Sequence, residues 1–141
     1  MRIALLFLLA LFSSRDSRIV YDTPTPIVAA SLGETVMAQP TKEATYRFSA
    51  SVETRPGEGC EYDTVLYFMR DYVGPGVVGV GKTSEIEIRK DGSADVAEIP
   101  ATVFRVKAGT HIGFSVSYMI GGNCKTRPTY RVFPLLEKVD E

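Results

Sequence analysis

Apolar and polar residues alternate over long stretches of the chain. In TYRFSASVE (45–53) every second residue from Tyr46 onward is apolar, and HIGFSVSYMI (111–120) alternates in the same way from Ile112. Successive side chains of a β-strand point to opposite faces, so a period of two indicates a strand with one buried face. Both segments are therefore predicted to be half-buried strands of an antiparallel sheet.

Further segments have the composition of strands. TVLYFMRDY (64–72) is apolar on both faces and rich in aromatic and β-branched residues, which predicts a central strand. TVFRV (102–106) and TYRVFPLL (129–136) add two strands, and PIVAA (26–30) and ETVMA (34–38) are weaker candidates.

The segment EIEIRKDGSADVAEI (85–99) is predicted to form a β-hairpin. Ile86 and Ile88 alternate with charged residues, and Asp91-Gly92 is a favoured two-residue turn. The total is seven to nine short strands separated by Gly, Pro, Asn and Asp. No window keeps apolar residues at helical spacing for three turns, so the pattern predicts an all-β fold, a sandwich or a barrel.

The N-terminus differs from the rest of the chain. A basic start precedes ten apolar residues, IALLFLLALF (3–12), and two serines. This pattern predicts a secretory signal peptide at residues 1–14, and the run is too short for a membrane span, which needs about 20 residues. The alternative is a retained apolar arm. Residues 15–26 are predicted to be an extended linker or arm, and residues 27–141 a single β-sandwich domain, since 141 residues provide one core.

Two cysteines, Cys60 and Cys124, lie in loop-like sequence. Because export implies an oxidising compartment, we expect them to form a disulfide that joins two loops. Neither belongs to a C-x-x-C pair, which argues against a zinc or redox site. The net charge of -1 gives no electrostatic case for binding nucleic acid or an anionic membrane.

The stretch GVVGVGKT (76–83) matches the phosphate-loop pattern G-x-x-x-x-G-K-[ST]. A phosphate loop needs a helix directly after it, because the helix N-terminus faces the phosphate. The residues after Lys82 alternate, TSEIEI, and predict a strand instead. The match is therefore interpreted as a glycine-rich connection and not as a nucleotide site.

Other chemistry has few candidates. His111 is the only histidine, and no G-x-S-x-G motif accompanies it, so we expect neither a catalytic triad nor a transition-metal site. Asp91, Ser93 and Asp95 share one turn and are weak candidates for calcium ligands, although an Asp-Gly turn needs no ion. No cofactor and no enzymatic activity are expected.

The aromatic residues differ in their phase and in their position along the predicted strands. The chain has no tryptophan. Tyr46, Tyr67 and Tyr118 have a core-like phase. The candidates for a binding surface lie near strand ends and loops: Tyr62, Tyr72, Arg127, Tyr130 and Arg131.

Three segments in order resemble the jelly-roll domains of tumour necrosis factor and of the complement globular head. They are ATYRFSASVE (44–53), VFRVKAGTHIGFSVSY (103–118) and TYRVFPLL (129–136). The resemblance implies a jelly-roll-like antiparallel sandwich that is not an enzyme, forms trimers and binds through surface loops. Jelly rolls of this kind also serve in virion shells, fibres and spikes.

The functional prediction is a binding or assembly module without catalysis. We expect it to be secreted or surface-exposed, or part of a virion or other extracellular particle. Its expected partners are further copies of the chain or other structural subunits, with a cell-surface or glycan ligand as an addition. Two alternatives stay open, a calcium-assisted carbohydrate-binding module and a nucleotide hydrolase that uses Lys82 and Thr83.

Overall fold

The computed structural model describes residues 18–73 and 82–139, and within these ranges the chain is all-β. Eight strands confirm the prediction of seven to nine. They are β1 (Arg18–Tyr21), β2 (Leu32–Ala38), β3 (Ala44–Arg55), β4 (Thr64–Val73), β5 (Thr83–Ile88), β6 (Asp95–Val106), β7 (His111–Met119) and β8 (Thr129–Val139).

The strands form two four-stranded antiparallel sheets. Sheet A has the order β1-β8-β3-β6 and sheet B the order β2-β7-β4-β5. The pairing is nested, because β1 pairs with β8, β2 with β7, β3 with β6 and β4 with β5. This is the topology of one long hairpin rolled into two sheets, so the predicted antiparallel, jelly-roll-like sandwich is confirmed.

The core lies between the two sheets. Every second side chain of β3 from Ala44 to Thr54 is buried, as the alternation predicts. The rings of Phe48 from sheet A and of Phe68 and Phe114 from sheet B meet there, with centroids 5.5 to 6.4 Å apart. Because aromatic side chains bury large areas, this cluster joins the sheets at their centre.

β4 lies between β7 and β5, which confirms that it is a central strand. Its inward side chains are Thr64, Leu66, Phe68 and Arg70. Tyr67 has the opposite phase and is half-buried on the outer face, so its assignment to the core is wrong. A strand that is apolar on both faces does not reveal which face is inward.

The predicted hairpin at 85–99 is also wrong. β5 belongs to sheet B and β6 to sheet A, so the two strands do not pair. The turn itself exists, since the Gly92 N–H donates to the Arg89 carbonyl at 3.2 Å. The turn reverses the direction of the chain, but it connects a strand of sheet B to a strand of sheet A.

β6 includes both DVAEI and the segment predicted as a separate strand, 102–106. Its register against β3 shifts between Phe48 and Ala50, which lie opposite Thr102 and Ile99. Pro100 lies in this irregularity, on an edge strand where no neighbour needs its missing N–H.

The described part of the predicted arm, residues 18–26, runs along β8. β1 pairs with Leu136 to Lys138, and the Thr25 N–H donates to the Val132 carbonyl at 2.9 Å. The weak candidate 26–30 forms only an isolated bridge between Val28 and Tyr130, whereas 34–38 lies within β2. The division of the chain at residues 14 and 26 stays a prediction, because residues 1–17 lie outside the described ranges.

Residues 18–73 and 82–139 contain no helix with the length and apolar character needed to cross a bilayer.

Candidate binding surface at the disulfide-linked end

Four connections meet at one end of the sandwich. Odd-numbered and even-numbered strands run in opposite directions, so residues 22–31, 56–63, 89–94 and 120–128 all follow the same ends of β1, β3, β5 and β7. The Lys90 N–H donates to the Asp63 carboxylate at 2.8 Å and thereby joins two of these connections. We call this the disulfide-linked end.

The Cys60–Cys124 disulfide predicted from the sequence is formed here. It joins the β3–β4 connection to the β7–β8 connection. Backbone hydrogen bonds run beside it, from the Glu58 N–H to the Thr126 carbonyl at 2.9 Å and from the Lys125 N–H to the Glu58 carbonyl at 2.8 Å. The two connections therefore form one cross-linked unit, which we call the disulfide-linked unit.

Two glycines permit this close approach. A Cβ at Gly57 would collide with the Thr126 carbonyl oxygen, and one at Gly121 would collide with the carbonyl oxygens of Tyr62 and Asp63. The Tyr62 N–H donates to the Gly121 carbonyl at 2.9 Å. Only glycine fits where two backbones lie this close.

Two of the five predicted surface residues lie on this unit. Tyr62 is 67% exposed, and its backbone is fixed by the bond to Gly121. Arg127 is exposed as well and lies near the Tyr118 hydroxyl. Burial raises the pKa of Tyr118, and the charge of Arg127 lowers it in part.

Tyr130, another of the five, lies in the core and is 1% exposed. Its hydroxyl donates to the Ala30 carbonyl at 2.7 Å, and burial raises its pKa to about 12. Its assignment to the surface is therefore corrected. It shares its phase with Val132 and Leu136, and a position near a strand end does not override that phase.

Arg131 and Tyr72 lie apart from the disulfide-linked unit. Arg131 is on the outer face of sheet A, where its Nε donates to the Thr25 carbonyl at 2.8 Å and its guanidinium lies 5.3 Å from the Phe133 ring centroid. Tyr72 is near the other end of β4, with its ring 4.3 Å from that of Phe104. Burial raises the pKa of Tyr72, and the charge of Arg70 lowers it in part.

Among the shallow concavities at the same end, two flank the disulfide-linked unit. One measures about 100 Å³ and is lined by Ile27, Glu53, Arg55, Thr129, Tyr130 and Arg131. The other measures about 370 Å³ and is lined by Thr54, Glu87, Ile88, Arg89, Gly92, Ser93 and Asp95. This end therefore combines the disulfide-linked unit with recessed, mainly polar surface.

Carboxylates line the larger concavity and its rim. A hydrogen bond to Asp63, and the negative charge of Asp63, raise the pKa of Glu87. The backbone N–H of Lys90 lowers the pKa of Asp63. The two carboxyl groups therefore titrate as an interacting pair.

The weak calcium candidates lie nearby. Asp91 is exposed in the turn, and Asp95 accepts a hydrogen bond from the Val96 N–H at 2.8 Å. In residues 18–73 and 82–139, no three or more His, Cys, Asp and Glu side chains are grouped as metal ligands.

The described residues of the phosphate-loop match lie at the opposite end of the sandwich. Residues 74–81 are outside the described ranges, but Lys82 and Thr83 are inside them. The Lys82 carbonyl accepts from the Arg70 N–H at 3.2 Å, and Thr83 begins β5, opposite Met69. A strand therefore occupies the position where a phosphate loop has its helix, as the alternation predicted. His111, at the start of β7, is half-buried.

Sequence reasoning missed Arg70. It has the inward phase of β4, and it is 3% exposed. The signal was present in the sequence, because Arg70 continues the spacing of Leu66 and Phe68. A charged residue at an inward position is unusual enough to indicate a site.

Comparisons with known proteins agree only on a coarse β-sandwich likeness. No protein-family model matches the chain, and no curated protein matches it significantly. Among solved structures, a xylan-binding domain from Paenibacillus barcinonensis shares 8% identity at a TM-score of 0.37, over 72% of this chain and 60% of that one. An infectious bursal disease virus structure shares 10% at 0.40, over 88% and 35%.

Two further structures extend the range of functions. A pilus structure of Bacillus endospore appendages shares 11% identity at a TM-score of 0.33, over 89% of this chain and 92% of that one. A CocE/NonD family hydrolase from Staphylococcus aureus shares 7% at 0.43, over 87% and 34%. The chain thus spans less than two thirds of the xylan-binding domain, the viral protein and the hydrolase. At these identities and scores, none of their functions transfers to it.

Proposed function

We propose that this chain is a non-catalytic β-sandwich module that works by assembly, through contacts made at the disulfide-linked end. We further propose that it is exported, with residues 1–14 acting as a signal peptide. In the alternative version, the apolar segment is retained as an arm in a virion-like or other extracellular particle.

The main support for this proposal is the cross-linked pair of connections on which Tyr62 and Arg127 are exposed. Interface residues that contribute most to binding are enriched in tyrosine and arginine. Binding costs less when such side chains stand on a preorganised backbone, and the disulfide with its flanking hydrogen bonds supplies that rigidity. The formed disulfide also supports an oxidising location.

A second copy of the chain is the partner we propose first. The finer proposal is a trimer, which the resemblance to tumour necrosis factor and complement domains implies. Other structural subunits, or a cell-surface or glycan ligand, are the alternatives.

The two other functions receive less support. A nucleotide hydrolase requires a helix N-terminus after Lys82, and β5 is a strand. A calcium-assisted sugar site requires six to eight oxygen ligands, whereas Asp91 and Asp95 offer two carboxylates, one of which already accepts from Val96.

Self-association tests the proposal. Sedimentation velocity of the native protein, over a range of concentrations, should show a concentration-dependent oligomer. Tyr62→Ser should weaken the association at least about tenfold, since truncation of a binding hot spot costs about 2 kcal/mol. Intact-mass measurement of the same native material shows whether residues 1–14 were removed.

Val103→Ser is the matched control. Val103 is also an exposed apolar residue, at 61%, but it lies on the outer face of sheet A toward the opposite end. The control should associate like the wild type. A strictly monomeric wild type, or equal weakening by both substitutions, would contradict assembly through the disulfide-linked end.

A further inference from the structure

Arg70 is a buried cation on the inward, otherwise mainly apolar face of β4. It projects from β4 with the same phase as Leu66 and Phe68, and it is 3% exposed. Its backbone is fixed, because the N–H donates to the Lys82 carbonyl at 3.2 Å and the residue lies opposite Phe114 of β7. The sheet therefore directs its side chain into the space between the sheets.

Two nitrogen atoms of this side chain have no acceptor. Among the described residues, no oxygen accepts from Nε or Nη1 of Arg70, and both atoms are inaccessible to solvent. A guanidinium keeps its proton in proteins, so Arg70 stays charged. The free-energy cost of burying that charge therefore remains. A buried charge without a partner strongly destabilises a fold, and a retained one indicates a missing partner.

Among the described residues, the surroundings of Arg70 supply no counter-charge. Asp71, the next residue, has the opposite phase and accepts from the Ser115 hydroxyl at 3.4 Å. Glu85 and Glu87 of the neighbouring β5 have exposed phases. In the part of the chain that the structure describes, Arg70 forms no ion pair.

What surrounds Arg70 is largely aromatic. Phe114 lies opposite it, Phe68 precedes it by two residues on the same face, and Tyr72 follows by two. The Tyr72 ring contacts Phe104 of the other sheet at 4.3 Å between centroids. Tyr72 is only half-buried, so this aromatic pair borders both the interior and the solvent.

We propose that Arg70 binds the carboxylate of a small organic acid, whose apolar part packs against Tyr72 and Phe104. A monoanion neutralises the single charge of Arg70 and supplies the missing acceptor for its N–H groups. An aromatic or aliphatic body suits contact with Tyr72 and Phe104, whereas a doubly charged, strongly hydrated phosphate would bring an excess charge among apolar side chains.

This site is independent of the proposed assembly. Arg70 lies near the end of β4 opposite the disulfide-linked end, and the proposal uses neither Tyr62 nor Arg127. The failure of either proposal leaves the other standing, since one is measured by oligomer mass and the other by ligand binding.

The direct test follows the Arg70 Nε–H resonance in ¹H–¹⁵N spectra of the full protein during titration with benzoate. Binding should shift this resonance in a saturable way, because an unbonded N–H becomes a charge-assisted donor. The melting temperature should rise by about 5 to 10 °C at a benzoate concentration 100 times the fitted Kd. Hexanoate should act like benzoate, and chloride and inorganic phosphate should not.

The variants Arg70→Met and Lys82→Met distinguish carboxylate binding at Arg70 from a general effect of anions on stability. Arg70→Met removes the unpaired charge and keeps an apolar side chain, so it should melt above the ligand-free wild type and lose the benzoate response. Lys82→Met removes an exposed cation beside the same backbone and should keep the response. Should Arg70→Met not fold, Arg70→Lys replaces it and should weaken binding at least tenfold.

Three results would overturn the proposal. The first is a wild type that shows neither a shift of the Arg70 resonance nor a change in melting temperature with any carboxylate. The second is an unchanged response in the Arg70 variants. The third is a response to phosphate without a response to benzoate or hexanoate, which would replace the carboxylate with a different anion.

Discussion

At the residue scale, Tyr130 illustrates how a buried hydroxyl links a strand to a connection between two other strands. Its ring stacks with that of Tyr118, with centroids 6.2 Å apart, and its hydroxyl donates to the Ala30 carbonyl at 2.7 Å. The Tyr118 hydroxyl donates in turn to the Pro128 carbonyl at 3.0 Å. Each buried hydroxyl therefore satisfies a carbonyl in the segments that lead into or out of the strands.

Tyr130→Phe should lower the free energy of unfolding by about 1 kcal/mol at pH 7, because it removes a buried hydrogen bond and leaves the Ala30 carbonyl unpaired. Urea denaturation measures this change. Tyr62→Phe, at an exposed position, is the control and should stay within about 0.5 kcal/mol of the wild type. If Tyr130→Phe left the free energy of unfolding unchanged, the hydrogen bond to Ala30 would contribute nothing to stability.

The same substitution should change the response to alkaline pH. The pKa of Tyr130 is about 12 in the folded protein and about 10 when unfolded, so the unfolded state ionises first and the contribution of this residue to stability falls from pH 10 upward. Tyr130→Phe lacks this contribution. The stability difference between wild type and variant should therefore shrink above pH 10 and change sign as the pH approaches 12, and an unchanged difference would contradict the assignment.

At the element scale, the alternation decided which face of a strand is buried but not which strands pair. β3 follows its predicted phase from residue 44 to residue 54, because one face of its sheet is buried. The segment 85–99 contains a genuine turn, yet Ile86 pairs with Leu66 of β4 instead of with β6. Turn chemistry is local, whereas sheet membership depends on contacts distant in sequence.

Contacts distant in sequence also decide the place of a short strand and the buried face of a strand that is apolar on both sides. β1 has four residues, and its place is set by β8 rather than by its own pattern. In β4 both faces are apolar enough that Tyr67 was assigned inward, while the charge of Arg70 concealed that this residue is the inward one. For the candidate site, the sequence predicted the disulfide, Tyr62 and Arg127, but a phase error put Tyr130 on the surface.

The close approach of the two cross-linked connections should be sensitive to one methyl group. Gly121→Ala should lower the free energy of unfolding by about 2 kcal/mol, because its Cβ would meet backbone oxygens that cannot move aside like a side chain. Gly33→Ala is the matched control. Nothing lies within 4 Å of its Cβ position, so the stability should be unchanged or slightly higher.

Thermal and urea denaturation of both variants measure this contrast. Equal changes in the free energy of unfolding for Gly33→Ala and Gly121→Ala would contradict a steric requirement for glycine at residue 121. A stable Gly121→Ala with an intact disulfide would show that the connections can separate at little cost.

At the scale of the whole molecule, the disulfide closes a large part of the chain. Cys60 and Cys124 are 64 residues apart, and the segment between them contains β4 to β7. Cross-linking a loop of this length restricts the unfolded ensemble and stabilises the folded state by about 4 kcal/mol in the chain-entropy model. That is a large fraction of the stability of a typical domain.

The double substitution Cys60→Ser and Cys124→Ser should therefore lower the free energy of unfolding by about 4 kcal/mol in urea. Reductant should destabilise the wild type to a similar extent and leave the double variant unaffected. A loss well below 1 kcal/mol would indicate that the hydrogen bonds between Glu58 and Thr126 hold the two connections without the covalent link.

The nested pairing has a consequence for biosynthesis. Arg18 of β1 pairs with Lys138 of β8, so the first described strand finds its partner in the last one. Pairings so distant in sequence slow folding, and sheet A cannot close before β8 has been synthesised. The emergence of β8 from the ribosome thus sets the moment at which β1 can dock, and until then β1 has no strand to pair with.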